Sequence, residues 1–91
     1  LGVEVKTISD KLVNKYNLYI EQGAVIVDIA EDSPTYKAGL RIGDVIIQVG
    51  NKQIRSEDDF NSLMKVVNRL DAVMLRVVRR NSVVRLTINL Q

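Results

Sequence analysis

Apolar and polar residues alternate at both ends of the chain, a pattern typical of strands that expose one face to water. Near the start, Val3 and Val5 stand between polar neighbours and predict a short strand. Near the end, residues 72–80 and 83–90 each carry apolar residues at alternate positions, and the intervening "NS" predicts a hairpin. The almost unbroken apolar run 24–29 predicts a strand in the middle of a sheet.

Serines precede three segments with helical patterns. Ser9, Ser33 and Ser56 stand where a hydroxyl can accept hydrogen bonds from the first turn of a helix, so each is a predicted N-cap. Pro34 follows at the first helical position, where it loses no hydrogen bond, and Gly39 ends this short helix over 34–38. The order of elements is strand, helix, strand, short helix, strand, helix, strand, strand.

The longest predicted helix begins at Ser56, where Asp59 three residues later resembles a capping box. Its apolar residues recur at i, i+3, i+4 and i+7: Phe60, Leu63, Met64 and Val67. Such a stripe either only fills the core or also turns one edge toward a ligand groove. In the second case we expect Met64, and then Phe60, at the accessible edge, with Leu63 deeper in the core.

The stretch "AGLRIGDVIIQV" predicts the end of a helix, a turn and a strand over 44–49. Gly39 and Gly43 supply backbone conformations that other residues reach only with strain. The Asp44 carboxylate can accept hydrogen bonds from amides that the turn leaves unpaired. Taken together, these elements predict an α+β, mainly β fold: a small, partly open antiparallel barrel or sandwich capped by two helices, forming one domain over residues 1–91.

Composition narrows the classes of function. The 91 residues, 46% of them hydrophobic, suffice for a single core, and they include no cysteine and no histidine. The commonest general base and zinc ligand are therefore absent, and no serine has a histidine partner. We expect no catalytic residues, no metal site and no cofactor within this chain. The apolar runs are too short to cross a bilayer, so we expect no direct membrane insertion.

Basic residues crowd the last quarter of the chain at Arg76, Arg79, Arg80 and Arg85. Such a cluster could face phosphate. However, Arg76 and Arg85 alternate with apolar residues, as on the wet face of strands, and no aromatic residue lies nearby to stack a base. The pattern favours the strand face, and we expect no nucleic-acid partner.

The segment "GAVIVDIAEDSPTYKAGLRIGDVIIQVGNKQI" resembles the central signature of PDZ domains, and the order of elements is similar to the bacterial, circularly permuted kind. The preceding "LGVEVKTISDKLVNKYNL" resembles the PDZ domains of HtrA/Deg serine proteases. Site-two proteases and carboxyl-terminal processing proteases also carry such domains. Two departures, Thr35-Tyr36 and Gly50-Asn51, are expected in turns on the far side from the binding groove.

The resemblance implies a non-catalytic peptide-binding module of a larger serine endopeptidase of the bacterial periplasm or cell envelope. Its expected partners are carboxy-terminal or unfolded polypeptide segments, bound to regulate or feed the protease, and possible sister protease or PDZ domains. The alternative is an architectural domain that packs against sister domains in an oligomer. The resemblance also places Leu1 inside the carboxylate-binding loop, so we expect residues that complete this loop to precede it.

The proposed binding residues follow from the physics of strand addition. A glycine between apolar residues at the head of an exposed strand can direct successive amides into one hollow that suits a carboxylate. The alternative is that Gly2 merely lies at a frayed end. If the hollow binds a carboxylate, the rest of the peptide would extend along the strand, with its last side chain between the strand and the long helix. The predicted peptide-binding residues are Leu1, Gly2, Val3, Glu4, Val5, Phe60, Leu63 and Met64.

Overall fold

The structure, a computed structural model, describes residues 2–90 and contains six strands and three helices over that range. In chain order the elements are β1 (Val3–Thr7), α1 (Asp10–Tyr16), β2 (Ala24–Ile29), α2 (Pro34–Lys37), β3 (Val45–Val49), β4 (Lys52–Gln53), α3 (Glu57–Val67), β5 (Ala72–Arg79) and β6 (Ser82–Asn89). The order predicted from the sequence is confirmed. The two-residue strand β4 was missed, because a pairing this short leaves no periodic pattern.

All strands belong to one antiparallel sheet in the order β1-β2-β3-β5-β6, with β4 paired to β3. Over the described residues, β1 and β6 end this order, so the sheet is open rather than closed on itself. The predicted mainly β, partly open architecture is confirmed. Helix α3 packs against β1 and α2 against β6, so each edge of the sheet has a helix beside it.

All three predicted serine caps are confirmed. Ser9 Oγ accepts from Leu12 N at 3.3 Å, Ser33 Oγ from Tyr36 N at 3.2 Å, and Ser56 Oγ from Asp59 N at 3.1 Å. The capping box at α3 is only half formed. The Asp59 carboxylate accepts from Arg55 N at 2.9 Å, one residue before the cap.

The core lies between the inner face of the sheet and α3. Its fully buried side chains include Ile26, Leu40, Ile46, Leu75 and Ile88. The alternation predicted for β5 and β6 is confirmed, because the residues between these core positions are more exposed on both strands. Helix α1 buries no residue, and its apolar side chains Leu12, Val13 and Tyr16 are only half-buried.

The hairpin between β5 and β6 turns one residue earlier than predicted. Arg79 pairs with Ser82, so the turn is Arg80 and Asn81 rather than residues 81–82. Arg80 has a φ of 56°, a left-handed conformation that costs a residue with a Cβ about 1–2 kcal/mol. The pairing of β5 with β6 therefore compensates for the unfavourable backbone conformation of Arg80.

The helices within residues 2–90 are short. The longest, α3, has 11 residues, and none combines the length and apolarity that crossing a bilayer requires.

Candidate functional site

The outer side of β1 is a free strand edge beside a helix. β1 pairs only with β2, and no strand within residues 2–90 occupies its other side. Helix α3 packs against the same strand. An unpaired edge presents a row of amide and carbonyl groups to any extended chain that approaches. This groove, bounded by β1 and α3, is the candidate site.

Hydrogen bonds at the two ends of β1 show which backbone groups face the groove. Gly2 O accepts from Ala30 N at 2.7 Å and therefore points toward the β2 side. Thr7 N lies 3.5 Å from the Glu57 carboxylate of α3 and therefore points outward. The backbone groups of successive residues in an antiparallel strand alternate between its two sides. Both observations place the N–H and C=O groups of Val3 and Val5 on the open side.

The register of β1 with β2 agrees with this alternation. The pairing changes from Glu4 opposite Asp28 to Val5 opposite Ile26, so Val27 is the extra residue of a bulge in β2. β1 itself continues without an insertion. The backbone N–H and C=O groups of Glu4 consequently face β2. Only the exposed side chain of Glu4 remains free to contact a ligand. Of the three residues predicted to form the edge, Val3, Glu4 and Val5, only Val3 and Val5 direct backbone groups toward the groove.

Glu57 closes one end of the groove. Its N–H donates to Thr7 Oγ1 at 2.9 Å, while its carboxylate approaches Thr7 N at 3.5 Å. This reciprocal contact fixes the first residue of α3 to the last residue of β1 and uses the outward amide of Thr7. The free stretch of the edge lies between this contact and Gly2.

Gly2 lies at the other end of the groove and is held firmly. Its φ is 76°, and a Cβ added to it would lie 2.5 Å from Ser33 Cβ, closer than carbon atoms can approach. Its carbonyl also accepts a hydrogen bond from Ala30 N. The interpretation of Gly2 as a frayed end is therefore wrong. Leu1, the remaining predicted site residue on this side, lies outside the described residues.

Helix α3 supplies the apolar wall, but its stripe is rotated relative to the prediction. Phe60, Met64 and Val67 are 4%, 6% and 5% exposed, whereas Leu63 is only half-buried. The expectation that Met64 and Phe60 form the accessible edge, with Leu63 deeper, is wrong. The helix faces the core with Phe60 and Met64, which leaves Leu63 and half-buried Val3 as the accessible apolar groups.

The N-cap of α2 lies directly behind the groove. Ser33 touches the Gly2 position, and Thr35 Oγ1 is 2.8 Å from Ser33 Oγ. The expectation that Thr35 lies on the far side from the groove is therefore wrong. Sequence reasoning identified Ser33 only as a helix cap, since no local pattern reports a contact between residues 31 positions apart.

A comparison with protein families decides the identity of this fold. The family model described as "PDZ domain" matches residues 1–90. The chain belongs to the PDZ domain family.

Curated proteins similar to this PDZ domain carry protease names. One from Chlamydia pneumoniae, "Probable periplasmic serine endoprotease DegP-like", is 33% identical over 88 residues, covering 97% of this chain and 18% of that protein. A protein of the same name from Halomonas elongata is 32% identical over 79 residues, covering 87% of this chain and 17% of its own length. The PDZ domain thus spans about a fifth of the curated relatives that it matches.

Solved structures of HtrA-type proteins share the fold. "HtrA-type protease AlgW with decapeptide" has a TM-score of 0.83 and 27% identity, covering 98% of this chain and 27% of that one. The HtrA3 PDZ domain bound to a phage-derived ligand, FGRWV, has a TM-score of 0.78 at 24% identity, covering 98% of this chain and 81% of that one. At that identity the second likeness concerns the fold alone.

The turn that leads into β3 is held by an ion pair that the sequence did not reveal. As predicted, the Asp44 carboxylate accepts from a turn amide, Arg41 N, at 2.9 Å. It also accepts from Arg79 Nε and Nη2 at 2.9 and 2.7 Å, and Arg79 Nη2 donates to Gly39 O. The hydrogen bonds that Arg79 donates to Asp44 raise the pKa of Arg79 above its ordinary value. These contacts join the turn to the end of β5, away from the groove.

Two other arginines of the basic cluster lie on the sheet as predicted. Arg76 and Arg85 face each other across the β5–β6 ladder, between positions that point into the core. The strand-face interpretation of these two residues is confirmed.

Proposed function

We propose that this PDZ domain binds carboxy-terminal or unfolded polypeptide segments by adding them as a strand to β1. The free edge beside α3 carries the proposal, because its outward groups at Val3 and Val5 have no partner strand within residues 2–90. An extended peptide would complete the ladder there, as in other cases of strand addition. Peptide-bound AlgW structures at 27% and 28% identity support this function.

The geometry limits how the peptide pairs. Glu57 holds the outward amide of Thr7, so main-chain pairing is restricted to the stretch from Gly2 to Val5. Two outward residues offer few hydrogen bonds, while ordering a flexible tail is costly. We therefore expect a dissociation constant of about micromolar order.

The peptide's carboxylate is expected at Gly2. The left-handed conformation of Gly2 precedes the outward N–H of Val3 at the head of the edge. Successive amides around such a residue form a concave donor site that suits an anion. Leu1 belongs to the same proposed loop. A carboxylate bound here would set the register of the whole peptide.

The last side chain of the peptide would contact an apolar surface. Val3 and Leu63 are half-buried and pack at the margin of the core, so they remain accessible to a ligand. Phe60 and Met64 form the floor behind them, where the flexible Met64 side chain can adapt to more than one aliphatic end. We therefore propose a preference for peptides with apolar ends.

The domain would serve a larger HtrA-type serine endopeptidase of the periplasm or cell envelope. The names of the relatives support this parent and this location. The chain itself is proposed to be non-catalytic, because its sequence contains no histidine or cysteine to activate or act as a nucleophile. Docking of a polypeptide on the groove would then regulate the protease or deliver its substrate.

An architectural role is the second candidate, and exposed apolar groups favour it. Tyr19 and Ile42 are 65% and 52% exposed and line a cavity of about 670 Å³ between α1, the turn before β3 and the end of β5. Arg41 and Arg80 lie on the same surface. Exposed apolar groups beside charges are typical of a contact with another domain. Such packing would leave the groove unused.

Calorimetric titration of the chain with matched peptides distinguishes these functions. The probes are pentapeptides FGRWX, in which X is Val, Leu, Ile, Phe or Ala, each as the free acid and as the amide. We expect binding of the apolar-ended free acids and at least about tenfold weaker binding of the amides, because an amide lacks the charge that the donors at Gly2 recognise. Equal affinities would contradict the carboxylate site, and no binding by any probe would favour the architectural role.

A further inference from the structure

Two hydroxyl side chains are buried immediately beneath Gly2. Ser33 is 5% exposed and Thr35 is fully buried. The space in which a Gly2 side chain would lie is occupied by Ser33, whose Cβ and Oγ are 2.5 and 3.1 Å from the ideal Cβ position. Any shift of Ser33 toward or away from the groove therefore changes the support under Gly2.

The Ser33 hydroxyl group takes part in several short polar contacts. Ser33 Oγ is 2.6 Å from Ala30 O, which can only accept, so the single hydroxyl hydrogen of Ser33 goes there. The Thr35 hydroxyl lies 2.8 Å from Ser33 Oγ, at hydrogen-bond distance. Ser33 Oγ also accepts from Tyr36 N at 3.2 Å, which completes its hydrogen bonding.

The same hydrogen bonds continue to the binding strand. Ala30 receives the Ser33 hydroxyl on its carbonyl and donates its own N–H to Gly2 O at 2.7 Å. A continuous path therefore runs from Thr35 through Ser33 and Ala30 to Gly2. The path leads from buried Thr35 and Ser33 to exposed Ala30 and Gly2, so the interior holds the groups at the surface in place.

We infer that Thr35, acting through Ser33, is a positioning residue that sets the carboxylate site at Gly2. This inference rests on the proposed binding of a peptide carboxylate at that position. The Thr35 hydroxyl fixes the Ser33 side chain, and Ser33 fixes Gly2 both by direct contact and through Ala30. Binding of a carboxylate depends on the alignment of the amide donors around Gly2, whereas main-chain pairing along β1 depends on it less. Loss of the Thr35 hydroxyl should therefore impair recognition of the peptide's charge more than strand addition itself.

The chemistry of Thr35 distinguishes this role from simple filling of space. Valine has nearly the same shape as threonine but cannot donate a hydrogen bond. Serine loses the methyl group but retains the donor. If Thr35 acts through its hydroxyl, Thr35→Ser should keep the preference for a free acid, and Thr35→Val should lose it. A role in packing alone predicts the opposite order.

The experiment compares the affinities for FGRWV as the free acid and as the amide, in the wild-type chain and its variants. The ratio of these two affinities is the readout, because a general loss of stability lowers both values together. For Thr35→Val we expect the ratio to fall at least about threefold, the effect of losing one ordinary hydrogen bond. For Thr35→Ser it should remain within about twofold of the wild-type ratio.

Ser9→Ala is the matched control. It removes the serine cap of α1, which follows the opposite end of β1 from Gly2, and so should lower stability without changing the ratio. If Thr35→Val melts below the assay temperature, Thr35→Cys takes its place. A thiol is a weaker donor than a hydroxyl, so the ratio should also fall in that variant.

The outcomes separate this inference from the proposed function. A wild-type chain that prefers the free acid, with an unchanged ratio in Thr35→Val, would overturn the positioning role and leave the carboxylate site intact. A wild-type chain without any preference would contradict the carboxylate site and with it this inference. A fall in Thr35→Val that Thr35→Ser prevents would support both.

Discussion

Gly2 combines two constraints that act on a single residue. Its φ of 76° belongs to the left-handed region, and Ser33 occupies the space in which a side chain would lie. The first constraint alone favours glycine, but the second makes any other residue displace a buried helix cap. The backbone conformation directly before β1 therefore depends on Ser33, a residue 31 positions away.

Gly2→Ala should destabilise the fold and weaken peptide binding. We expect a loss of about 2–3 kcal/mol in the free energy of unfolding, from the left-handed backbone together with the clash at Ser33. Gly50→Ala is the matched control, because Gly50 has a φ of 59° but its nearest neighbour would be 3.9 Å from an added Cβ. It should cost only about 1 kcal/mol and leave peptide affinity unchanged.

Urea denaturation and calorimetric titration of both variants test this expectation. Equal losses of stability in the two variants would mean that the contact with Ser33 has no energetic effect. Unchanged peptide affinity in Gly2→Ala would contradict the role of this residue in binding.

The residues of α3 should separate stability from binding. Leu63→Ala should cost about 1–2 kcal/mol of stability, since only part of this side chain is removed from water. Met64→Ala should cost about 2–5 kcal/mol, because Met64 is buried in the core. Despite its smaller effect on stability, Leu63→Ala should weaken binding of FGRWV more. Paired thermal melts and titrations would contradict the assigned orientation of α3 if Met64→Ala had the smaller effect on stability.

At the scale of elements, contacts between distant residues decide what the local pattern leaves open. The caps at Ser9, Ser33 and Ser56 were predictable because each cap bonds within its own helix. The contact of Glu57 with Thr7 spans 50 residues, and the pair of Arg79 with Asp44 spans 35. Neither has a signature in the sequence, because it depends on how the completed sheet brings these residues together.

The orientation of α3 illustrates the same limit. The spacing of Phe60, Leu63, Met64 and Val67 identified the apolar stripe correctly. Periodicity does not determine which edge of a stripe faces the core, because that choice depends on how the helix packs against β1. Phe60 and Met64, which were expected to be accessible, are therefore buried, and Leu63, which was expected to be buried, is accessible.

Asp44→Asn should test the tie between the turn before β3 and the end of β5. Removing the charge breaks a buried ion pair but retains one acceptor oxygen for Arg41 N or Arg79. We expect a loss of about 2 kcal/mol, below the 3–5 kcal/mol typical of fully buried pairs, because the Arg79 side chain is 37% exposed. Glu4→Gln is the control, since the exposed pair of Glu4 and Lys6 should contribute less than about 1 kcal/mol.

The pH dependence of this tie follows from the direction of the Arg79 pKa. The hydrogen bond with Asp44 raises the pKa of Arg79 above its ordinary value, so the stabilising charge on Arg79 is fully present below the ordinary arginine pKa and is lost only as the pH rises through the raised pKa. Deprotonation of Arg79 therefore does not change stability between about pH 6 and 10. A loss of the difference between wild type and Asp44→Asn within this window would contradict the assignment.

On the scale of the whole molecule, the arrangement leaves β1 open beside α3 while fixing both ends of the groove. Glu57 secures one end and the Ser33 contact with Gly2 secures the other. The fold was predictable because strand alternation, helix caps and the PDZ resemblance all pointed to the same order of elements. The groove was predictable as a region, but its backbone directions required the hydrogen bonds of Gly2 and Thr7.

Amide hydrogen exchange, measured residue by residue by NMR with and without FGRWV, tests strand addition to β1 most directly. Peptide should slow exchange at Val3 and Val5, whose N–H groups face the groove. It should change Glu4 and Lys6 little, because their N–H groups already face β2, and the same holds for Thr7, which contacts Glu57. Slowed exchange at alternate residues of β1 is the predicted result. Bound peptide without added protection at Val3 and Val5 would contradict the account.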